Sequence, residues 1–258
     1  MSDRRVTVVT GASQGIGREL ALAFAAAGDA VVLAARSRDG LEATATAVTA
    51  AGGEALTIPT DVTDIDSVGS LASAVLERYG RVDVLINNSG IGGPSGTLWE
   101  LDPQDWVDTY AVNVHGVFLV SRALLPPMIE RGSGSVINIG SISGKRPLYG
   151  RSAYTSTKLA LVGLTRTLAV EAGEYGVRVN LISPGFVAGP RLDWVISAQA
   201  TARGVPEEVV EESFANEAAL KRLTEANDVA DAALFLASDA ARAITGADLN
   251  VNSGVVMY

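Results

Sequence analysis

The sequence predicts one doubly wound α/β domain spanning residues 1–258, with a parallel sheet of about seven strands and helices on both faces. Three observations carry that prediction. Short β-branched or apolar runs alternate with longer segments of helical periodicity. The runs are apolar throughout rather than alternating. No Pro/Gly/Ser-rich linker, internal repeat or low-complexity block divides the chain. Regular β–α alternation implies parallel strands joined by right-handed crossovers, and continuous apolar strands imply a sheet covered on both faces. Strands are expected at 6–10, 30–35, 55–59, 82–87, 135–140, 177–183 and 247–251, and helices at 18–27, 39–51, 65–79, 103–131, 152–175 and 227–238. The first helix stops at Gly28, a residue suited to a helix C-terminus. The segment 186–223 breaks the rhythm, being long, charged and punctuated by Gly189-Pro190, Gly204 and Pro206. Its position after the sixth strand predicts a lid at the carboxyl edge of the sheet, the edge where such folds bind ligands. The plainer alternative is a pair of packed surface helices.

Composition narrows the function. The chain is 48% hydrophobic, enough for a sizeable core, and contains no cysteine, which removes disulfides, thiol nucleophiles and zinc–thiolate sites. The single histidine, His115, removes His-rich metal clusters, so no metal site is expected, and His115 itself reads as structural. A net charge of −9 argues against binding a nucleic-acid backbone. No secretion signal is read at the N-terminus and no apolar run approaches the length of a membrane span, so a cytoplasmic protein is expected.

The first strand runs into Thr10-Gly11-Ala12-Ser13-Gln14-Gly15-Ile16-Gly17 and then a helix. Glycines let the backbone approach a ligand closely, and the free N–H groups and dipole of a helix N-terminus attract pyrophosphate. A glycine-rich turn can be no more than a tight turn, and G-x-x-x-G-x-G is not the G-x-G-x-x-G fingerprint, but its position at the first β–α junction of a Rossmann-like domain favours a phosphate site. The second strand ends Ala34-Ala35-Arg36-Ser37, without the carboxylate that binds the ribose 2′-hydroxyl of NAD. Arg36 instead suits a 2′-phosphate, with Ser13 and Ser37 adding hydrogen bonds, and NADP is expected ahead of NAD.

Tyr154 and Lys158 stand at i and i+4 of an expected helix and share one face. A free phenol has a pKa of about 10, and a fixed cation lowers it. Such a tyrosine can exchange a proton with an alcohol or ketone near neutrality.

Together these motifs resemble the short-chain dehydrogenase/reductase family over essentially the whole chain. The resemblance rests on Thr10-Gly11-x-x-x-Gly15-Ile16-Gly17, Asp61-Val62, Asn87-Asn88-Ser89-Gly90, Asn113, Ser141, Tyr154-x-x-x-Lys158 and Pro184-Gly185. It implies that Tyr154 is the general acid in carbonyl reduction and the base in alcohol oxidation, and that Ser141 bonds the substrate oxygen. It implies that Lys158 binds the nicotinamide ribose and lowers the Tyr154 pKa, and that Asn113 holds a water feeding protons toward Lys158. Asp61 and Val62 would contact adenine, and Asn88, Ser89 and Gly90 would line the ribose side. Pro184, Gly185 and Val187 would face the nicotinamide.

The chain departs from the family pattern in having Ser89 where alanine is usual and Gly189 where relatives carry a threonine that helps hold the cofactor. The second change is expected to loosen the lid. A ketone or secondary alcohol is implied, with a polyol, sugar-like or diketone substrate expected and a 3-oxoacyl thioester as alternative. Ser143, Leu148, Tyr149, Phe186, Trp194 and Trp99 are the expected pocket wall; Lys145 and Arg146 read first as solvent-facing residues, with recognition of an anionic substrate group as the alternative. Apolar surface on the long helices, with the family's habit, implies a homotetramer, with a dimer as the fallback. The rival from another class is a nucleotide-binding sensor or scaffold without turnover.

Overall fold

The computed structural model describes residues 4–258. Seven strands form one sheet: β1 (Val6–Thr10), β2 (Ala30–Ala35), β3 (Glu54–Pro59), β4 (Val84–Asn87), β5 (Gly134–Ile139), β6 (Val177–Pro184) and β7 (Asp248–Val251). Their order is β3-β2-β1-β4-β5-β6-β7 and every pairing is parallel. The order reverses between β1 and β4, which opens a crevice at the carboxyl ends of those strands.

The five inner strands are buried on both faces, the edge strands β3 and β7 are half-buried, and alternate residues serve different cores. Val6, Val8, Val32 and Leu85 pack with α3 (Ile65–Tyr79), α5 (Gly116–Arg131) and the later turns of α6 (Ser152–Gly173). Val9, Val31, Leu33 and Ile86 pack on the opposite face with α1 (Gly15–Ala26), α2 (Arg38–Ala50) and α9 (Ala226–Ala237). Local chemistry sets the helix ends. The Asp64 carboxylate accepts from the backbone of Asp66 and Ser67 to start α3, and Gly80, at φ 70°, ends it.

The expected helix at 103–131 is not continuous. It divides into α4 (Pro103–Tyr110), a π-helical turn (Ala111–His115) and α5. The wider turn swings Asn113 inward, where it is fully buried and hydrogen-bonded, and inserted turns of this kind recur at functional sites. The whole 29-residue run is long and apolar enough to span a bilayer, with a mean hydropathy of 1.3 over its most apolar window, which corrects the reading that no run approaches that length. Half of that window is buried, and α5 covers the sheet with Leu119, Val120, Leu124 and Met128, as a core helix does.

The segment 186–223 folds as two helices, α7 (Pro190–Arg203) and α8 (Glu207–Glu217). They share a small core of Leu192, Ile196, Ala200, Val210 and Phe214, separate from the two cores of the sheet. The root of the pair is tied down. The Ala188 N–H donates to the Thr224 carbonyl at 2.9 Å, and the Thr224 N–H donates to the Phe186 carbonyl at 2.9 Å.

Candidate active site

The crevice above β1 and β4 has two ends. At the first, the glycine turn connects β1 to α1. Gly11 and Gly15 have φ values of 66° and 54°, a region that disfavours a side chain. Gly17 is required by space, since a Cβ there would lie 2.1 Å from the Gly11 carbonyl oxygen. Gly15 faces open space. The exposed Gln14 precedes α1 without capping it, and the first turn carries no acidic residue, so its N–H groups are left for an anion. Residues in this arrangement fit a dinucleotide pyrophosphate. Ile16 turns its side chain to the core.

The turn is stapled to β4. The Thr10 hydroxyl accepts from the backbone of Asn88 at 3.0 Å and of Ser89 at 3.1 Å, while Asn88 Nδ2 donates to the carbonyls of Thr10 at 3.0 Å and Gly11 at 3.3 Å. Arg36 is exposed just beyond β2. Ser37 caps α2 by accepting from the Gly40 N–H at 3.2 Å, and Ser13 packs so close that a Cβ on Gly40 would lie 2.8 Å from its own. Ser13, Arg36 and Ser37 therefore edge one corner of the crevice. The Asp61 carboxylate accepts from both the backbone and the hydroxyl of Thr63, at 2.9 and 2.7 Å. Those bonds, with a smaller contribution from Arg36, hold its pKa below the usual carboxylate value against the effect of burial. Val62 is buried against Gly116, where a Cβ would lie 2.7 Å from it.

At the second end, Tyr154 and Lys158 lie one turn apart on α6, with Lys158 Nζ 5.7 Å from the centre of the phenol ring. Lys158 is buried and donates to the Ile139 carbonyl at 2.8 Å. Burial lowers its pKa, and Tyr154 works in the opposite direction. For Tyr154 burial favours the neutral phenol, but Lys158, Arg191, a polar contact with Ser141 and then Arg151 outweigh it, and its pKa lies below the ordinary phenol value. Ser141 sits in extended backbone just past β5, and its hydroxyl accepts from the Ser143 N–H at 3.1 Å. Asn113 accepts from the Ile91 N–H at 2.8 Å and donates to the Ile91 carbonyl and the Thr157 hydroxyl at 3.0 and 3.1 Å. A Cβ on Gly90 would lie 3.3 Å from Asn113 Oδ1 and 3.6 Å from Lys158 Nζ, so Gly90 keeps the approach to both open. Pro184 ends β6, Gly185 donates to the Val251 carbonyl at 3.0 Å, and Val187 bridges to Thr224.

Several expectations change here. Lys145 and Arg146 do not face an open pocket. Lys145 pairs with Asp248 at 2.8 Å, and Arg146 pairs with Glu217 at 2.8 Å and covers the Phe186 ring. Phe186 packs on Phe214 with ring centres 4.5 Å apart and so belongs to the small core shared by α7 and α8. Trp99, Tyr149 and Trp194 are 84%, 89% and 69% exposed, too open for the wall of a closed pocket, and Trp99, Leu148 and Tyr149 line an outer groove instead. The exposed His115 rests against Phe118. Gly189 has a φ of 132°, where threonine would be strained, which explains its absence. Helix α7 begins at the next residue with Pro190, a residue suited to that position.

Two residues beside the phenol escaped the sequence reading. The guanidinium carbons of Arg151 and Arg191 lie 5.5 and 5.3 Å from the Tyr154 ring centre. The only local signal was an arginine three residues before Tyr154. Arg191 gave none, because it arrives from α7, far along the chain.

A family model described as enoyl-(acyl carrier protein) reductase matches residues 11–256. A short chain dehydrogenase/reductase of Aspergillus oryzae is 38% identical over 97% of this chain and 94% of its own. A 3-oxoacyl-[acyl-carrier-protein] reductase of Synechocystis is 36% identical over 98% of both. Among solved structures, a variant of actinorhodin polyketide ketoreductase with NADPH superposes with a TM-score of 0.95 at 34% identity, covering 99% of this chain and 98% of that one. An NAD+-bound xylitol dehydrogenase superposes at 0.92 with 29% identity, covering 97% and 98%. Likeness of this extent, reaching from the glycine turn to the last strand, is common ancestry rather than a shared architecture alone, and the chain belongs to the short-chain dehydrogenase/reductase family.

Proposed function

We propose that this oxidoreductase interconverts a ketone and a secondary alcohol with NADP(H), with Tyr154 as the proton-transfer group and Ser141, Lys158 and Asn113 as its partners. The observation that carries this reading is a half-buried phenol in contact with Ser141 and held below its ordinary pKa chiefly by Lys158. When bound, the nicotinamide supplies or accepts the hydride. In reduction the Tyr154 hydroxyl gives its proton to the carbonyl oxygen, and Lys158 stabilises the phenolate left behind. Ser141 donates to the same oxygen as negative charge gathers there. Asn113 fixes Ile91 and Thr157 around Lys158 and keeps that cation aligned.

Gly11, Gly15, Gly17 and the N–H groups beside Ser13, Gln14 and Ile16 would hold the pyrophosphate, with Asp61 and Val62 on the adenine side. Asn88, Ser89 and Gly90 would line the ribose, and Pro184, Gly185 and Val187 the nicotinamide. Arg36, exposed beside Ser13 and Ser37 with no carboxylate at the end of β2, supports NADP over NAD. A polyol, sugar-like or diketone substrate agrees with the likeness to xylitol dehydrogenase. The Synechocystis likeness favours a second reading, a 3-oxoacyl thioester. Residues 186–223 would serve as the lid. Assembly as a cytoplasmic homotetramer is supported by the cysteine-free composition and by exposed apolar side chains on α4, α5 and α6, among them Val107, Phe118, Leu159 and Val170.

A panel of ketones, polyols and an acetoacetyl thioester, followed through the absorbance of reduced nicotinamide with each cofactor, tests the reading. Tyr154→Phe is expected to lower turnover about a thousandfold with cofactor binding retained. Unchanged turnover would remove Tyr154 from the reaction. The pH profile adds a signed check. Reduction needs the protonated phenol and falls as pH rises through the Tyr154 pKa, whereas oxidation needs the phenolate and rises through the same value. Both limbs are expected below the ordinary phenol range.

A further inference from the structure

Arg151 and Arg191 come from different parts of the chain and converge on one spot. Arg151 precedes α6 and makes no capping bond with its side chain, which turns instead toward the β4–α4 loop. There Nη2 donates to the Gly92 carbonyl at 2.6 Å and Nη1 to the Ser95 hydroxyl at 2.7 Å. Arg191 reaches the same loop from the lid. A Cβ on Gly92 would lie 2.9 Å from Arg191 Nη2 and 3.1 Å from Arg151 Nη2, so the two guanidiniums meet beside that glycine, and both face the Tyr154 ring.

Two like charges held together need a reason, because their repulsion and the desolvation of Arg151 both oppose folding. Burial, and then Arg191, push the Arg151 pKa down. Among the described residues no carboxylate pairs with either arginine, although the chain is rich in acidic groups and nine other ion pairs form. Guanidinium forks match carboxylate, phosphate and sulfonate oxygens two at a time. The cofactor's own phosphates are provided for at the other end of the crevice, by the start of α1 and by Arg36. What remains beside Tyr154 is the substrate.

We propose that the substrate carries a compact oxyanion close to the reacting carbon, and that Arg151 and Arg191 grip it. The proposal rests on the oxidoreductase reading and narrows it. It also gives the 186–223 segment a defined role, since the bound anion would offset the repulsion between the two guanidiniums and hold Arg191, and α7 with it, where it already lies against Arg151 and the β4–α4 loop. The negative charge of the whole chain disfavours anions at a distance, so this pair acts as a local counter to it.

Three probes of one carbon skeleton test the idea: levulinate, its phosphonate analogue and neutral levulinamide. The wild-type enzyme is expected to prefer at least one anionic ketone to the amide by about tenfold or more in kcat/KM, mostly through KM. The two anionic arms show whether carboxylate or phosphonate geometry fits the forks. In Arg191→Gln the ratio of anionic to neutral substrate should fall toward one, and Arg191→Lys should restore part of it. Using the ratio cancels any general change in turnover. Calorimetric titration of the same probes into the protein loaded with oxidised NADP, which has no hydride to give them, reads the site without turnover, and should show anion affinity that Arg191→Gln loses. Equal treatment of anion and amide by the wild type, or a preference that survives Arg191→Gln, would overturn the proposal while ketone reduction stands. Loss of all ketone turnover with anion binding intact would instead count against the oxidoreductase reading alone.

Discussion

On the function proposed above, the two ends of the crevice recognise their ligands with different materials. The dinucleotide end is backbone: glycines at fixed spacing, bare N–H groups and one stapling asparagine, all within the first β–α turn and the end of β4. The proposed substrate end is side chains: a phenol and an ammonium from α6, the guanidinium of Arg151 just before it, and that of Arg191 from α7. Backbone recognition tolerates little change of residue, because a Cβ in the wrong place blocks it outright. Side-chain recognition permits a change of ligand without a change of fold, which is how one architecture serves many substrates.

The sharpest way to break this contrast is Gly17→Ala. The new Cβ would sit 2.1 Å from the Gly11 carbonyl and 2.5 Å from Asn88 Nδ2, so both the turn and its staple must move. A cost of about 3 kcal/mol, at the upper end for overpacking, is expected, with cofactor binding lost in a fluorescence titration. Gly15→Ala is the control. It meets open space and adds only the strain of a positive φ, about 1 kcal/mol. Equal damage from both would mean that space does not set the turn.

A smaller effect is expected at the corner where the backbone end borrows a side chain. Arg36→Asp should weaken NADP by about tenfold to a hundredfold and leave NAD within a few-fold, as for a lost charged hydrogen bond. Dissociation constants for both cofactors decide it, and parallel losses would assign the specificity elsewhere.

The same division explains what the sequence revealed. The strands could be read almost to the residue, because a doubly covered sheet writes each strand as an apolar run. The glycine turn and the Tyr154–Lys158 pair were legible because each is local, a few residues on one turn. The π-helical turn was not, since nothing in Ala111-Val112-Asn113-Val114-His115 distinguishes it from ordinary helix until Asn113 meets Ile91 and Thr157. Lys145 and Arg146 could not be placed from the sequence for a related reason. Their partners Asp248 and Glu217 lie far along the chain, and pairing neutralised the charges that seemed available. Arg151 and Arg191 are the converse, unremarkable alone and meaningful only where the fold brings them together.

The smallest predicted effect falls at the joint between the two kinds of recognition. Gly189 has a φ of 132°, as a backbone position would, yet nothing lies within 4 Å of a Cβ built there. Gly189→Ala therefore adds strain without a clash, about 1 kcal/mol, which for a chain of this size lowers Tm by a few degrees. Because α7 begins at Pro190, the strain enters at the root of the helix that carries Arg191. Substrate KM should rise about two- to threefold while cofactor affinity stays where it was. If the cofactor is lost instead, the lid root and the glycine turn form one unit, and the separation of backbone from side-chain recognition does not hold at this edge of the sheet.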